Sequence, residues 1–314
     1  MRNHRLLALV PALTIGLLAQ GCARTEGLLW YTASLDGNLD GCTCVSHPRA
    51  GLVKRAAFLR TTPDRDRALL VDAGDLFDAG GDARLAAELL EVYGELGYDA
   101  IAVGDHEVAL GGARLAALAA RSPLLAHNLS LRSDLDPPPP LSAAPLIVEK
   151  SWGRIAIVAL IDPSVLARYP PAILDSIRIA SPEAAARLML ARLAADPTVL
   201  RVLLFHGPWE AADRLARAVA GFHLIVVGHD GALHEPLRIR GAVLVSPGEE
   251  GNRLGMLELA IARTAGGRPR LAGLANTVRL FSYRTDPDDP GVRQRIDDDR
   301  RALAVRTESD ADVP

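Results

Sequence analysis

The sequence has few aromatic residues, few cysteines, no excess of positive charge and no internal repeat. Aromatics make up 4% of its 314 residues, so its 49% hydrophobic content must build a core from Leu, Ala, Val and Ile. The net charge of −3 gives no basis for a nucleic-acid partner. The N-terminal apolar run, residues 6–19, is too short to span a bilayer comfortably. The tail after Arg284 contains no aromatic residue at all.

What is present at the N-terminus has the layout of an export signal. Arg2 and Arg5 precede the apolar run, and Gly21-Cys22 follows it. Small residues ending in a cysteine resemble a bacterial lipobox. That resemblance implies an exported, periplasmic protein held to the membrane by a lipid on Cys22; the plainer reading is an ordinary cleaved signal. Acylation of Cys22 would leave Cys42 and Cys44 as the remaining cysteines. Spaced C-x-C in an oxidising compartment, they would close a tight disulfide ring or offer two thiolates to a metal.

Beyond the signal, short apolar runs alternate with helix-like stretches. "LLWYTAS", "ALLVDAG" and "YDAIAVG" each precede one, and "RIAIVALID", "VLRVLLFHG" and "FHLIVVGHD" continue the pattern. Continuous apolar strands in a β/α rhythm predict a sheet covered on both faces. From Leu237 the pattern changes to consecutive strands joined by Gly-containing turns. "SDLDPPPPLS" predicts an extended surface loop. Residues 286–314 form a charged tail, expected to be a fraying helix and a disordered end. The predicted organisation is therefore a signal over 1–22, one domain over 23–285 and the tail.

Polar residues of one kind gather directly after the strands. Asp72 and Asp75 close "LLVDAGD"; Asp105, His106 and Glu107 close "IAVGDHE"; His206 closes "VLLFHG" and His229 closes "LIVVGHD". The carboxyl ends of strands in an α/β sheet share one rim, so residues distant in sequence converge there. Two aspartates and two histidines suit a divalent transition metal such as Mn, Fe or Zn.

The series "LLVDAGDLFDAGG", "YDAIAVGDHEVALGG", "VLLFHG" and "LIVVGHDGALHEPL", with "GAVLVSPGEEGNRLGMLEL" beyond, resembles the calcineurin-like metallophosphoesterases. It is most similar to the catalytic domain of the periplasmic 5′-nucleotidase group, whose relatives include thiosulfohydrolases. The likeness runs over roughly residues 28–283. It implies a four-layer α/β/β/α sandwich of two mixed sheets and a hydrolase acting on a phosphoester or related ester with one or two metals per chain. On this resemblance Asp75 matches the metal-bridging aspartate, and Asp105 replaces the asparagine of a "GNHE" motif. His106 matches the histidine that assists the leaving group, and His206 and His229 match metal ligands.

The chain departs from that pattern at its first motif. Where the family has Asp-x-His-Gly, this sequence has Ser34-Leu35-Asp36-Gly37, and Gly231 stands where a last histidine is expected. One metal site thus keeps Asp75, Asp105, His206 and His229, while the other keeps Asp75 and gains Asp36. Cys42 and Cys44, on the same loop, are candidates to complete it or to act in thiol redox chemistry, with His47 a further candidate ligand. The expected function is a metal-dependent hydrolase with one of its two metal sites degenerate. The alternative is a non-catalytic metal-binding or thiol-redox lipoprotein on the same fold.

Overall fold

A computed structural model describes residues 24–42, 49–132, 141–197, 199–248, 251–298 and 301. The signal with Cys22, and Cys44 with His47, lie outside the described residues, as does most of the proline-rich segment. No helix among the described residues is long and apolar enough to cross a membrane.

The chain opens with β1 (Thr25–Thr32), the short antiparallel pair β2 (Gly41–Cys42) and β3 (Arg49–Ala50), and α1 (Leu52–Thr61). Next come β4 (Leu69–Asp72), α2 (Ala83–Glu95), β5 (Ala100–Ala102), α3 (Asp105–Ala109), α4 (Gly112–Ala119), β6 (Leu124–Leu125) and β7 (Leu129–Leu131). β8 (Leu146–Lys150) pairs with β9 (Gly153–Ile161), and α5 (Pro171–Leu174), β10 (Ile177–Ile179) and α6 (Pro182–Arg192) follow. β11 (Leu200–His206), α7 (Trp209–Ala218) and β12 (Leu224–Gly228) complete the β/α part. β13 (Leu237–Ile239), β14 (Ala242–Val245), β15 (Arg253–Arg263) and β16 (Pro269–Leu280) then run with no helix between them, as the change of pattern at Leu237 predicts.

These strands make two six-stranded mixed sheets, ordered β16-β15-β1-β4-β5-β6 and β13-β14-β12-β11-β9-β8. β1, β4, β5 and β6 run parallel in the first, and β9, β11, β12 and β14 run parallel in the second. The apolar runs are continuous because both faces of each sheet are covered. In β11, Leu200, Val202 and Leu204 meet the other sheet, whereas Leu203 and Phe205 meet the layer of α6 and α7. Between the sheets lies a core of Leu, Val, Ile and Ala with little aromatic content, as the composition requires. A second core joins the first sheet to α1, α2 and α4. The result is a four-layer α/β/β/α sandwich of two mixed sheets, the architecture that the resemblance implies.

Capping agrees with the sequence. Asp82 starts α2 by accepting from the amides of Arg84 and Leu85, and Ser181-Pro182 starts α6. The stretch set apart in sequence as a charged tail is in part built into the domain. Residues 290–298 form a helix, α8, whose Val292 and Ile296 are buried in the first core. Arg295 of α8 pairs with Glu91 and Glu95 of α2.

Candidate metal centre

The loops after the parallel strands are fixed by their backbones before any side chain is considered. Hydrogen bonding between β1 and β4 continues past the strand ends. The amide of Ala73 donates to Thr32 (2.9 Å), Ser34 to Gly74 (2.9 Å), Asp36 to Asp75 (3.0 Å) and Gly37 to Leu76 (3.0 Å). This ladder sets Asp36 beside Asp75. Glu107, fully buried at the start of α3, accepts from the amides of Gly104 (2.7 Å), Asp75 (3.0 Å) and Phe77 (3.0 Å). One carboxylate thereby ties the β4 loop to the β5 loop. Burial, and then the negative charge of Asp75, push the Glu107 carboxyl up to about 7.

Backbone strain concentrates in the same place. Among the described residues, the non-glycine residues with φ in the left-handed region are Ser34 (52°), Asp36 (54°), Asp75 (57°), His229 (66°) and Arg240 (47°). All but Arg240 lie in the strand-end loops. Each costs on the order of 1 kcal/mol or more and persists because the surroundings fix it. Gly104 permits a close approach of the loops: a Cβ there would stand 2.4 Å from Asp75 Oδ1 and 2.7 Å from His206 Cε1.

On this frame Asp75, Asp105, His206 and His229 converge, with one ligand atom of each within 4.8 Å of the others. His206 Nε2 lies 3.0 Å from Asp105 Oδ1 and 3.3 Å from Asp75 Oδ1. His229 Nδ1 lies 3.0 Å from Asp105 Oδ1 and 3.7 Å from Asp75 Oδ2. The two rings meet edge to face, with centroids 5.2 Å apart. His206 Nδ1 stands 2.8 Å from the Ala73 carbonyl. Nδ1 is therefore assigned as a donor to that carbonyl, and Nε2 is the nitrogen that faces the carboxylates and would be offered to a metal. A backbone carbonyl on the far nitrogen is the usual support of a metal-ligating imidazole.

The electrostatics match. Burial works against ionisation of Asp75 and Asp105, but His206 and His229 outweigh it and hold both carboxyls well below the usual carboxylate range. Burial likewise opposes protonation of His206, yet Asp75 and Asp105 raise it well above its ordinary value. Hydrogen bonds to Asp105 and then Asp75 raise His229 to about 9. Two buried carboxylates whose ion pairs run to imidazoles form a donor set that fits a divalent transition metal.

A second group adjoins the first through Asp75. Asp36, Asp75 and His106 also bring one ligand atom each within 4.8 Å. His106 Nδ1 lies 3.3 Å from Asp36 Oδ1 and 3.0 Å from the Phe77 carbonyl, and its amide donates to Asp75 Oδ1 at 3.1 Å. Ser34 is buried within the same loop. Cys42 sits in β2, and its pairing with Cys44 falls outside the described residues.

Asp72, grouped in sequence with Asp75, does not join the site. It shares its strand face with Leu70, toward the helical layer, where Thr32 Oγ1 (2.6 Å) and the Tyr93 hydroxyl (3.1 Å) donate to it. Sequence reasoning missed two features. The Tyr169 hydroxyl donates to Asp105 Oδ2 at 2.9 Å. Trp209, at the start of α7, stacks on His234 with centroids 4.1 Å apart, and His234 also meets Asp230 at 3.1 Å. No motif announces Tyr169. The placement of Trp209 three residues after His206 was the available signal for the second feature.

No protein-family model and no curated protein matches the sequence. Solved structures do. The chain superimposes on the 5′-nucleotidase precursor of Thermus thermophilus with a TM-score of 0.73 and 21% identity, covering 89% of this chain and 59% of that one. The calcineurin-like phosphoesterase YfkN of Bacillus subtilis gives 0.74 and 16%, covering 89% and 98%. The sulfate thiohydrolase SoxB of Thermus thermophilus gives 0.72 and 19%, covering 90% and 61%. This chain thus spans about three fifths of the first and third proteins and nearly all of the second. The sandwich and its strand-end centre give this chain the fold of the calcineurin-like metallophosphoesterases.

Proposed function

We propose that this chain is a metal-dependent hydrolase of a phosphoester or related ester, with its principal metal held by Asp75, Asp105, His206 and His229. The observation that carries this reading is the convergence of those four ligand atoms within 4.8 Å at the rim where the strands end. A divalent cation held there supplies Lewis acidity and charge neutralisation to a bound ester. The chain's own residues do the rest. Ala73 orients His206, Tyr169 fixes the outer oxygen of Asp105, and Glu107 holds the β4 and β5 loops at their separation. Asp105, in the place of a neutral amide, adds a negative charge. That tightens a cation and disfavours an anionic ester close by, so slow turnover of generic aryl phosphates is expected.

Export, and attachment to the membrane through a lipid on Cys22, belong to the same proposal and rest on the signal-like N-terminus. The substrate class rests on the resemblance of the motifs and on the phosphoesterase and nucleotidase structures that share the fold. The test is hydrolysis of p-nitrophenyl phosphate and its diester by the metal-stripped protein as Mn, Fe or Zn is restored. Activity that appears with metal and is lost in His206→Ala supports the reading. A protein that takes up metal at the four residues yet hydrolyses no ester points instead to the non-catalytic alternative.

A further inference from the structure

We infer that the end of the sandwich opposite the metal centre rests on an anionic lipid surface, so that the centre faces away from the membrane. The inference rests on the export and anchoring proposed above, not on the chemistry of the centre.

Charge divides along the strand axis. The parallel strands of both sheets end at one rim, since β4, β5, β11 and β12 all deliver ligands to it. Their starts therefore lie together at the other end. Within three residues after the last residue of each parallel strand there is no Lys or Arg, but there are Asp75, Asp105, Asp162 and Asp230. Within two residues of the first residues stand Arg24, Arg67, Arg154, Arg201 and Arg240, against Glu26 and Asp99. Lys150 pairs with Asp99 at 3.0 Å. A chain of net charge −3 thus carries one positive end.

The hairpin of β15 and β16 concentrates that charge. Thr25 pairs with Ile261, which sets Arg24 at the level of Ala262, and Ala262 pairs with Arg270. Arg263 and Arg268 flank the turn of the same hairpin. The Pro269 carbonyl lies 3.1 Å from His223 Nε2, so the turn is held against the start of β12 in the second sheet. Burial, and then the charge of Arg268, lower the Arg201 guanidinium there. Arg24, Arg201, Arg268 and Arg270 make no ion pair among the described residues, and Arg201 Nε is buried without a partner. Glu26 and Glu258 stand on the neighbouring strands, two and four residues nearer the rim.

Two features select a lipid surface. Cys22 precedes Arg24 by two residues, a link of at most about 7 Å, so an anchor there enters the membrane beside this face. Each arginine held near an anionic leaflet adds about fivefold in affinity. The acidic rim is clear of that surface. β11 runs seven residues between the two ends, which is about 23 Å. That is more than about two Debye lengths at physiological salt, so the rim adds little repulsion. The centre then draws its ester from solution rather than from the bilayer.

The experiment is flotation, with vesicles, of the processed chain from residue 22 carrying Cys22→Ser, so that it bears no lipid. One set of vesicles contains phosphatidylglycerol and phosphatidylethanolamine, the other phosphatidylcholine alone. Binding to the first set only is expected, and it should fade as salt rises. Arg24→Gln, Arg268→Gln and Arg270→Gln combined should weaken it by about a hundredfold. All three residues are exposed, and an unchanged melting curve would show that the variant folds. Arg114→Gln, Arg168→Gln and Arg214→Gln remove the same charge from exposed positions off this face and should leave binding in place. No binding, or equal binding to both sets, overturns the inference, as does equal weakening by the two triple variants. Tighter binding to duplex DNA than to the vesicles overturns it as well. Because the tested chain carries no lipid, any of these failures leaves the anchor at Cys22 standing.

Discussion

Gly104→Ala tests whether the strand-end loops are held as tightly as the centre requires. Gly104 lies at φ −101° and ψ −171°, a conformation any residue adopts, so the methyl group adds no backbone strain. It adds collision. The new Cβ would stand 2.4 Å from Asp75 Oδ1, 2.6 Å from the Asp75 amide nitrogen and 2.7 Å from His206 Cε1. None of these is the end of a flexible chain. Asp75 is fixed by Glu107 and by the Asp36 ladder, and His206 is fixed by Ala73. Relief requires Asp75 and His206 to move apart. Overpacking of this kind costs about 1–3 kcal/mol. At 2 kcal/mol the melting temperature of a domain of this size falls by about 4–8 °C. Displaced ligands should weaken metal binding by about tenfold or more. Gly111→Ala is the control. It has φ +80° with nothing within 4 Å of its added Cβ, so it pays conformational strain of about 1–3 kcal/mol and leaves metal affinity alone. Calorimetric melting and Mn2+ titration of both variants read the two effects apart. If Gly104→Ala keeps both its melting temperature and its metal affinity, the β4 and β5 loops are not constrained as described.

Three further outcomes follow from the structure and one from the sequence. Tyr169→Phe removes the donor to Asp105 Oδ2 and should weaken metal binding at the proposed four-residue centre by about ten- to hundredfold with little change in melting temperature; unchanged affinity would make Tyr169 incidental. Metal affinity should fall with pH, because His229 in the metal-free protein is held at about 9 and a cation must displace its proton. Each displaced proton makes the dissociation constant about tenfold larger per unit fall in pH below that value, and titrations at pH 6, 7 and 8 would expose a flat response if the histidines are not ligands. His223 is buried with Nδ1 accepting from the Arg201 amide, and burial, then Arg201, lower it to about 4. The unfolded chain therefore takes up that proton first as pH falls below about 6.5, and about 3 kcal/mol of stability should be lost between there and pH 4; in His223→Gln that acid-dependent part should be absent from urea melts. Cys22→Ser should release the protein from the membrane fraction or leave it unprocessed, and unchanged fractionation would remove the lipid anchor.

Much of the site was legible because of where polar residues stood. An aspartate or histidine that ends a continuous apolar strand has left the buried sheet, and the parallel topology brings such ends to one rim. Asp75, Asp105, His206 and His229 were found that way. Strand alternation, however, separates Asp72 from Asp75: Asp72 follows Leu70 toward the helical layer, while Asp75 lies beyond the strand. Tyr169 was out of reach because its contact with Asp105 spans 64 residues and comes from an irregular loop with no period or motif. The grouping of His106 with Asp36 depended on loop backbones at left-handed φ, which residue types permit but do not dictate. The first part of the charged tail hid its role for a simpler reason. Val292 and Ile296 are few, but they are four apart, and one helical stripe of two residues suffices to dock α8 on a core already formed.

The most direct test of the four-residue centre is the anomalous diffraction of crystals grown with Mn2+. A strong manganese peak enclosed by Asp75, Asp105, His206 and His229 is the predicted result. Fully loaded crystals with no peak among those four residues, or with manganese only at other side chains, would contradict it.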